Sequence, residues 1–237
     1  DNVYFLRDTD RVRDDTSRYY TPIQCYYLDG FLPGSNEEIE IKAILPTGKT
    51  LISKTKLPEF ITFIPAGSDP VIPPVEKDTF NILWEGKSNT GWYLSRFSVL
   101  YKKNENGTDV FYNKEVPIKY VFENGNWVPN YPTPSRSTRV GFLNSSLDSV
   151  FTQISAGDTA KSDYIILGGM FDVLIFDDNL SKYYSSINGF LDQFTVRIDE
   201  TDFTNVEGGF GIFGSYIKQR RFVSIFTEYI QSFGYTP

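Results

Sequence analysis

Acid–base chemistry in this chain could be built only on carboxylates. Asp8, Asp10, Asp14 and Asp15 gather near the N-terminus, Asp177 and Asp178 are adjacent, and Asp199, Glu200 and Asp202 form a third group. Two carboxylates at the right separation hydrolyse glycosides. The alternating oxygens of Asp8-Thr9-Asp10 are those with which a calcium loop begins, but its glycine and closing glutamate are missing. Each group lies in or beside an expected loop, where Asp serves turn geometry, so solvated loops are expected. There is no histidine, and Cys25 is the single cysteine. Ser-His-Asp and Cys-His catalysis, HExxH zinc sites, multi-cysteine metal centres and an internal disulfide are thereby excluded. Cys25, in an expected strand among tyrosines, reads as an inert thiol. No catalytic residue, cofactor or metal is assigned, and the chain is read as not an enzyme.

Two further groups of residues could bind. Trp84, Trp92 and Trp127 are candidates for stacking a ligand or a partner chain, against the commoner use of such rings in a β core. The string Glu207-Gly208-Gly209-Phe210-Gly211-Ile212-Phe213-Gly214 lacks the Lys-Ser/Thr and the helix that a phosphate loop requires. It reads as a structural glycine motif: Gly208, Gly209, Gly211 and Gly214 permit a turn and close backbone approach, with Phe210, Ile212 and Phe213 packed inside. Lys218-Gln219-Arg220-Arg221 is a short basic turn. With 23 Lys and Arg against 30 Asp and Glu, the net charge is −7. That sign argues against nucleic acid and against electrostatic docking on anionic lipid.

The elements that must carry these residues read mainly as strands. Aromatic residues make up 16% of the 237 residues, with 20 Phe and 16 Tyr against one Met, a composition suited to pleated, half-buried surfaces. Strands are expected over 2–6, 19–28, 38–45 and 50–56, with Ile39, Ile41 and Ala43 alternating against Glu40 and Lys42. Together they suggest a partial immunoglobulin-like β-sandwich over 1–64, its first strands preceding Asp1. The stretch 65–75, dense in Pro and Gly, is expected to be a linker. A larger antiparallel β domain then covers 76–237, with strands over 79–84, 92–102, 109–112, 116–122, 140–142, 163–176, 211–216 and 221–230. Asn-Gly at 124–125 signals a hairpin, and 130–137 reads as a long exposed loop. Leu180, Tyr183, Tyr184, Ile187, Leu191 and Phe194 recur at helical spacing, so one short helix is expected over 179–194. The fold class is all-β with one short helix.

The order of these features resembles the Bacteroidota surface-lipoprotein family known as domain of unknown function forty-two-forty-nine. Asn205-Val206-Glu207-Gly208-Gly209-Phe210-Gly211-Ile212-Phe213-Gly214-Ser215-Tyr216 looks like that family's N-I-x-G-G-L-G-I-F-G-x-Y signature. The Tyr183-Tyr184 helix and the strands from Gly48 to Tyr101 are similar in order. The resemblance implies a lipid anchor carried outside this chain and a place at the outer membrane, on the cell surface or facing the periplasm. By genomic association it also implies a TonB-dependent transporter as neighbour. It carries no catalytic residue. Asp148-Ser149-Val150 and Asp158-Thr159-Ala160 match the Asp-Ser/Thr-small pattern of Bacteroidota O-glycosylation, making Ser149 and Thr159 candidate acceptors.

The expected function is a non-enzymatic surface lipoprotein, an accessory or structural subunit of an envelope complex with a transporter or secretion channel. Its partner would be an outer-membrane β-barrel or another envelope protein, met through exposed loops such as 130–137. Capture of a glycan or peptide by exposed Trp and Tyr is the alternative, and a carboxylate-based glycosidase the third reading.

Overall fold

The structure, a computed structural model, describes residues 2–13, 20–86, 91–158, 160–188 and 203–237. It is mostly β, with 47% of residues in strands and 14% in helix. The chain divides into two compact units, residues 1–34 and 35–237.

The smaller unit is a hairpin. Strands β1 (Arg7–Arg11) and β2 (Ile23–Tyr27) pair antiparallel, with Thr9 opposite Cys25. The strand expected over 2–6 lies instead in the charged stretch that follows it. A two-stranded ribbon has no second layer to bury its apolar residues, and Val3, Phe5, Val12, Tyr20 and Tyr26 are exposed.

The larger unit packs two sheets face to face. It begins with the hairpin β3 (Glu38–Ile44) and β4 (Thr50–Lys56), followed by β5 (Thr62–Ile64) and β6 (Val71–Ile72). Then come β7 (Thr79–Glu85), the long β8 (Tyr93–Glu105), β9 (Thr108–Glu115), β10 (Lys119–Glu123), β11 (Asn126–Asn130) and β12 (Arg139–Leu143). Helix α1 (Asn144–Ile154), β13 (Tyr164–Phe176), α2 (Asp178–Asn188), β14 (Tyr216–Ile225) and α3 (Thr227–Ser232) complete it. One sheet has the order β12-β7-β5 and the other β6-β14-β13-β8-β9, while β3-β4 and β10-β11 are separate ribbons.

The core is the space between the two sheets. Phe80, Ile82 and Trp84 alternate inward along β7, as period 2 dictates, and meet Phe97, Val99, Phe171 and Val173 from β8 and β13. Cross-sheet ring contacts join Phe80 to Phe97 at 5.2 Å and Trp84 to Phe171 at 5.9 Å. Helix α1 closes one end with Leu147, Val150, Phe151 and Ile154, and the Phe151 ring meets Tyr229 edge-on and Phe233 and Tyr235 at a tilt.

Several expectations change. The stretch 65–75 is no linker: β6 pairs in parallel with β14, and Ile72 is fully buried in the core. Its prolines shape a short edge strand, and the division of the chain falls at Gly34. Residues 2–64 form separate ribbons in different units, with β5 joined to β7. The expected helix begins at Asp178, and its part beyond 188 lies outside the described residues. Helices α1 and α3 are additional. The strand expected over 221–230 ends at Ile225, and 211–215 run irregularly before β14.

Candidate functional site

The glycine string is built into the frame. Ile52 and Glu207 exchange two backbone hydrogen bonds of 3.2 and 2.8 Å, so the string lies against β4. Asn205 clamps the loop closed: its side chain donates to the Phe213 carbonyl at 2.7 Å and accepts from the Phe213 N–H at 2.8 Å. Gly208 has φ +81°, and a Cβ there would stand 2.8 Å from the Thr50 carbonyl oxygen. At Gly214 a Cβ would meet Leu180 Cγ at 2.5 Å. The structural reading of Gly208 and Gly214 therefore has a definite cause in both cases. Phe210 departs from expectation. It is 95% exposed at the apex of the loop, because the two ends of the loop are held by Thr204, Asn205 and β4 and leave no core above it. With Tyr183, Ser186, Phe203, Thr204 and Ile212 it borders a hollow of about 470 Å³.

Asp177 is buried, not in a solvated loop. Its carboxylate accepts from the Leu180 N–H at 2.7 Å, as a helix N-cap does, and from the N–H and hydroxyl of Ser215 at 2.7 and 3.0 Å. The Thr55 hydroxyl donates to it as well. One carboxylate thus ties α2, β4 and the end of the glycine string together. Asp8 and Asp10 lie on β1 opposite Tyr26 and Gln24. Asp14, Asp15, Asp199, Glu200 and Asp202 lie outside the described residues. Among the described residues no three His, Cys, Asp or Glu side chains are grouped as a metal site would need.

The tryptophans separate by burial. Trp84, 2% exposed, and Trp92 are buried, which corrects their candidacy for stacking, since a ring inside the core offers no face to a ligand. Trp84 contacts Tyr93 and Phe171, and the Arg136 guanidinium lies 5.9 Å over the Trp92 ring. A hollow of about 170 Å³ lies beside Trp84, lined also by Tyr93, Ser95, Ser135 and Arg139. That is room for about half a dozen waters.

Trp127 is different. It is 68% exposed and stands opposite Phe122 across the β10-β11 ladder, the two rings 5.3 Å apart. The Asn124-Gly125 turn, with both residues at positive φ, closes this hairpin, as Asn-Gly does in type I′ turns. Every residue of β11 is exposed. Among the described residues the ribbon pairs with no other strand, and its Tyr120 hydroxyl accepts from Gln153 on α1 at 3.2 Å. The chain runs from β11 directly into 130–137, where Ser135 exchanges backbone bonds of 2.8 and 3.0 Å with Tyr93. The loop is therefore exposed but pinned. The hairpin presents Phe122 and Trp127 side by side on one face, where sequence reasoning singled out Trp127 and the loop but not Phe122.

Ser149 lies on α1, and its hydroxyl donates to the Ser145 carbonyl at 2.9 Å. The preceding Asp148 accepts from Tyr229 at 2.7 Å. Burial, then that bond, pushes the Tyr229 phenol well above its usual range. Thr159 lies outside the described residues. Asp158 is held below the usual carboxylate range by the Ala160 N–H, then by Lys103 and Tyr164.

Compared with protein-family models, with characterised proteins and with solved structures, the chain matches none.

Proposed function

We infer that the protein is a non-enzymatic surface lipoprotein of the outer membrane that serves as an accessory or structural subunit of an envelope complex. The observation that carries the subunit reading is the exposed Phe122–Trp127 pair on a ribbon that, among the described residues, joins no larger sheet. Large aromatic rings held in water on a pinned scaffold are what protein interfaces use as anchors. Their backbone is fixed by the β10-β11 ladder and its Asn124-Gly125 turn, so little ordering is needed on binding. The outer-membrane location, the lipid anchor and a TonB-dependent transporter or secretion channel as partner rest on the family resemblance alone, of which residues 205–216 are the most specific part. Among the described residues no helix is long and apolar enough to cross a membrane, and in this reading attachment is through lipid.

The test is affinity purification from detergent-solubilised envelopes of the source cells. A β-barrel protein recovered in stoichiometric amount, and lost with Phe122→Ala/Trp127→Ala, is the expected result. Recovery of the chain alone would overturn the subunit reading and leave glycan or peptide capture at the same rings as the activity to measure.

A further inference from the structure

The edge of the five-stranded sheet is finished differently on its two sides. At one side stands β6, two residues long and followed by Pro73 and Pro74, a blunted edge. At the other stands β9, eight residues without proline.

The β8-β9 ladder runs unbroken from Glu105 opposite Thr108 to Ser98 opposite Glu115. The two-residue turn Asn106-Gly107, with both φ positive, makes the flanking pair 105/108 a hydrogen-bonded one. At the far end the Val116 N–H donates to the Phe97 carbonyl at 2.8 Å, in the same phase. Hydrogen-bonded pairs alternate along an antiparallel ladder, so Thr108, Val110, Tyr112 and Lys114 bond towards β8. Asp109, Phe111, Asn113 and Glu115 turn their N–H and C=O groups outward. Among the described residues those groups have no hydrogen-bond partner. Phe111 is 70% exposed, and Asp109 is fixed on the same face by Lys102 Nζ at 2.5 Å and Asn104 Nδ2 at 3.2 Å.

We propose that β9 pairs antiparallel with β9 of a second copy of this chain, about a two-fold axis at Phe111. Outward groups must meet outward groups, which leaves two long registers. With the axis at Tyr112, Asp109 faces Glu115 of the second copy, and like charges directly opposite are destabilising. With the axis at Phe111, Asp109 faces Asn113, whose amide donates to it. Lys114 then faces Thr108, Val110 faces Tyr112, and Phe111 meets its own symmetry mate as a cross-strand aromatic pair. In this register no like charges meet, and each Asp109 finds the Asn113 amide of the other copy, a match that a second copy supplies twice by symmetry and an unrelated extended segment does not. The pairing continues the five-stranded sheet across the axis. It does not depend on the envelope partner inferred above, because the 119–130 hairpin takes no part.

Sedimentation equilibrium of the full chain, from low to high micromolar concentration, tests this. The wild type is expected to dimerise. Phe111→Pro removes an N–H that β8 does not use and is expected to be monomeric with an unchanged circular-dichroism spectrum. Asn113→Asp places two Asp–Asp oppositions across the axis and is expected to weaken the dimer about tenfold, while Asn113→Lys does not weaken it. A wild type that stays monomeric overturns the proposal, as does a folded Phe111→Pro variant that still dimerises. Should Phe111→Pro fail to fold, an Asn113→Asp dimer as tight as wild type overturns it.

Discussion

At the scale of single residues, charge and close packing make the clearest commitments. Asp172 is buried on β13 and paired with Arg220 through bonds of 2.7 and 3.0 Å, with Lys218 at 3.3 Å. Burial alone would raise its carboxyl, but Arg220 and then Lys218 outweigh it and hold the group below the usual range. A carboxyl lowered on folding contributes stability that is complete above its unfolded value, about 3.9, and lost as pH falls through the folded one. Urea titrations should therefore show wild-type stability declining below about pH 4. Asp172→Asn should lose about 1–2 kcal/mol at pH 7, because both cations reach solvent, and its acid dependence should be shallower. Gly208→Ala combines a left-handed φ with approach to the Thr50 carbonyl, and should cost about 2 kcal/mol in the same titration. Single residues were unevenly legible. The glycines could be read as structural because no helix or lysine follows them. The exposure of Phe210 could not, because it depends on how Asn205 and β4 hold the two ends of a loop. The role of Asp177 was hidden likewise, its donors being Thr55 and Ser215, far away in sequence.

At the scale of elements, turn chemistry was the most readable signal. Asn106-Gly107 and Asn124-Gly125 mark hairpins, and the alternation in residues 38–44 marks β3, because both are local properties of the backbone. The 65–75 stretch misled because Pro and Gly punctuate an edge strand as readily as a linker, and only tertiary pairing with β14 tells them apart. Helix α1 left a trace in Ser146, Leu147, Val150, Phe151 and Ile154, one buried face at helical spacing. The β-rich surroundings masked it. Helix α2 was visible by its apolar period, and its start is fixed by the Asp177 cap. Asp177→Ala removes that cap and the ties to Thr55 and Ser215 together. The expected loss is about 2–3 kcal/mol, with helical signal near α2 lost first, as hydrogen exchange can read residue by residue.

At the scale of the whole molecule, what sits in the core and what is left in water differ in meaning. The two-sheet core uses its aromatic residues for packing, which is why Trp84 and Trp92 are withdrawn from any surface. Phe122 and Trp127 contribute nothing comparable, so replacing both with Ala should change the unfolding free energy by less than about 0.5 kcal/mol while abolishing partner recovery. An all-β class was legible in composition, but the partner surface was legible only in part, because exposure is decided by topology. The most direct test is site-specific photo-cross-linking in intact envelopes, with the photoreactive residue at position 127 and a control at Phe222, exposed on the outer face of the large sheet. Cross-links from 127, absent from 222, to one envelope protein are the expected result. An envelope partner cross-linked from 222 but not from 127, or from neither, would contradict the assignment of the β10-β11 hairpin as the docking site.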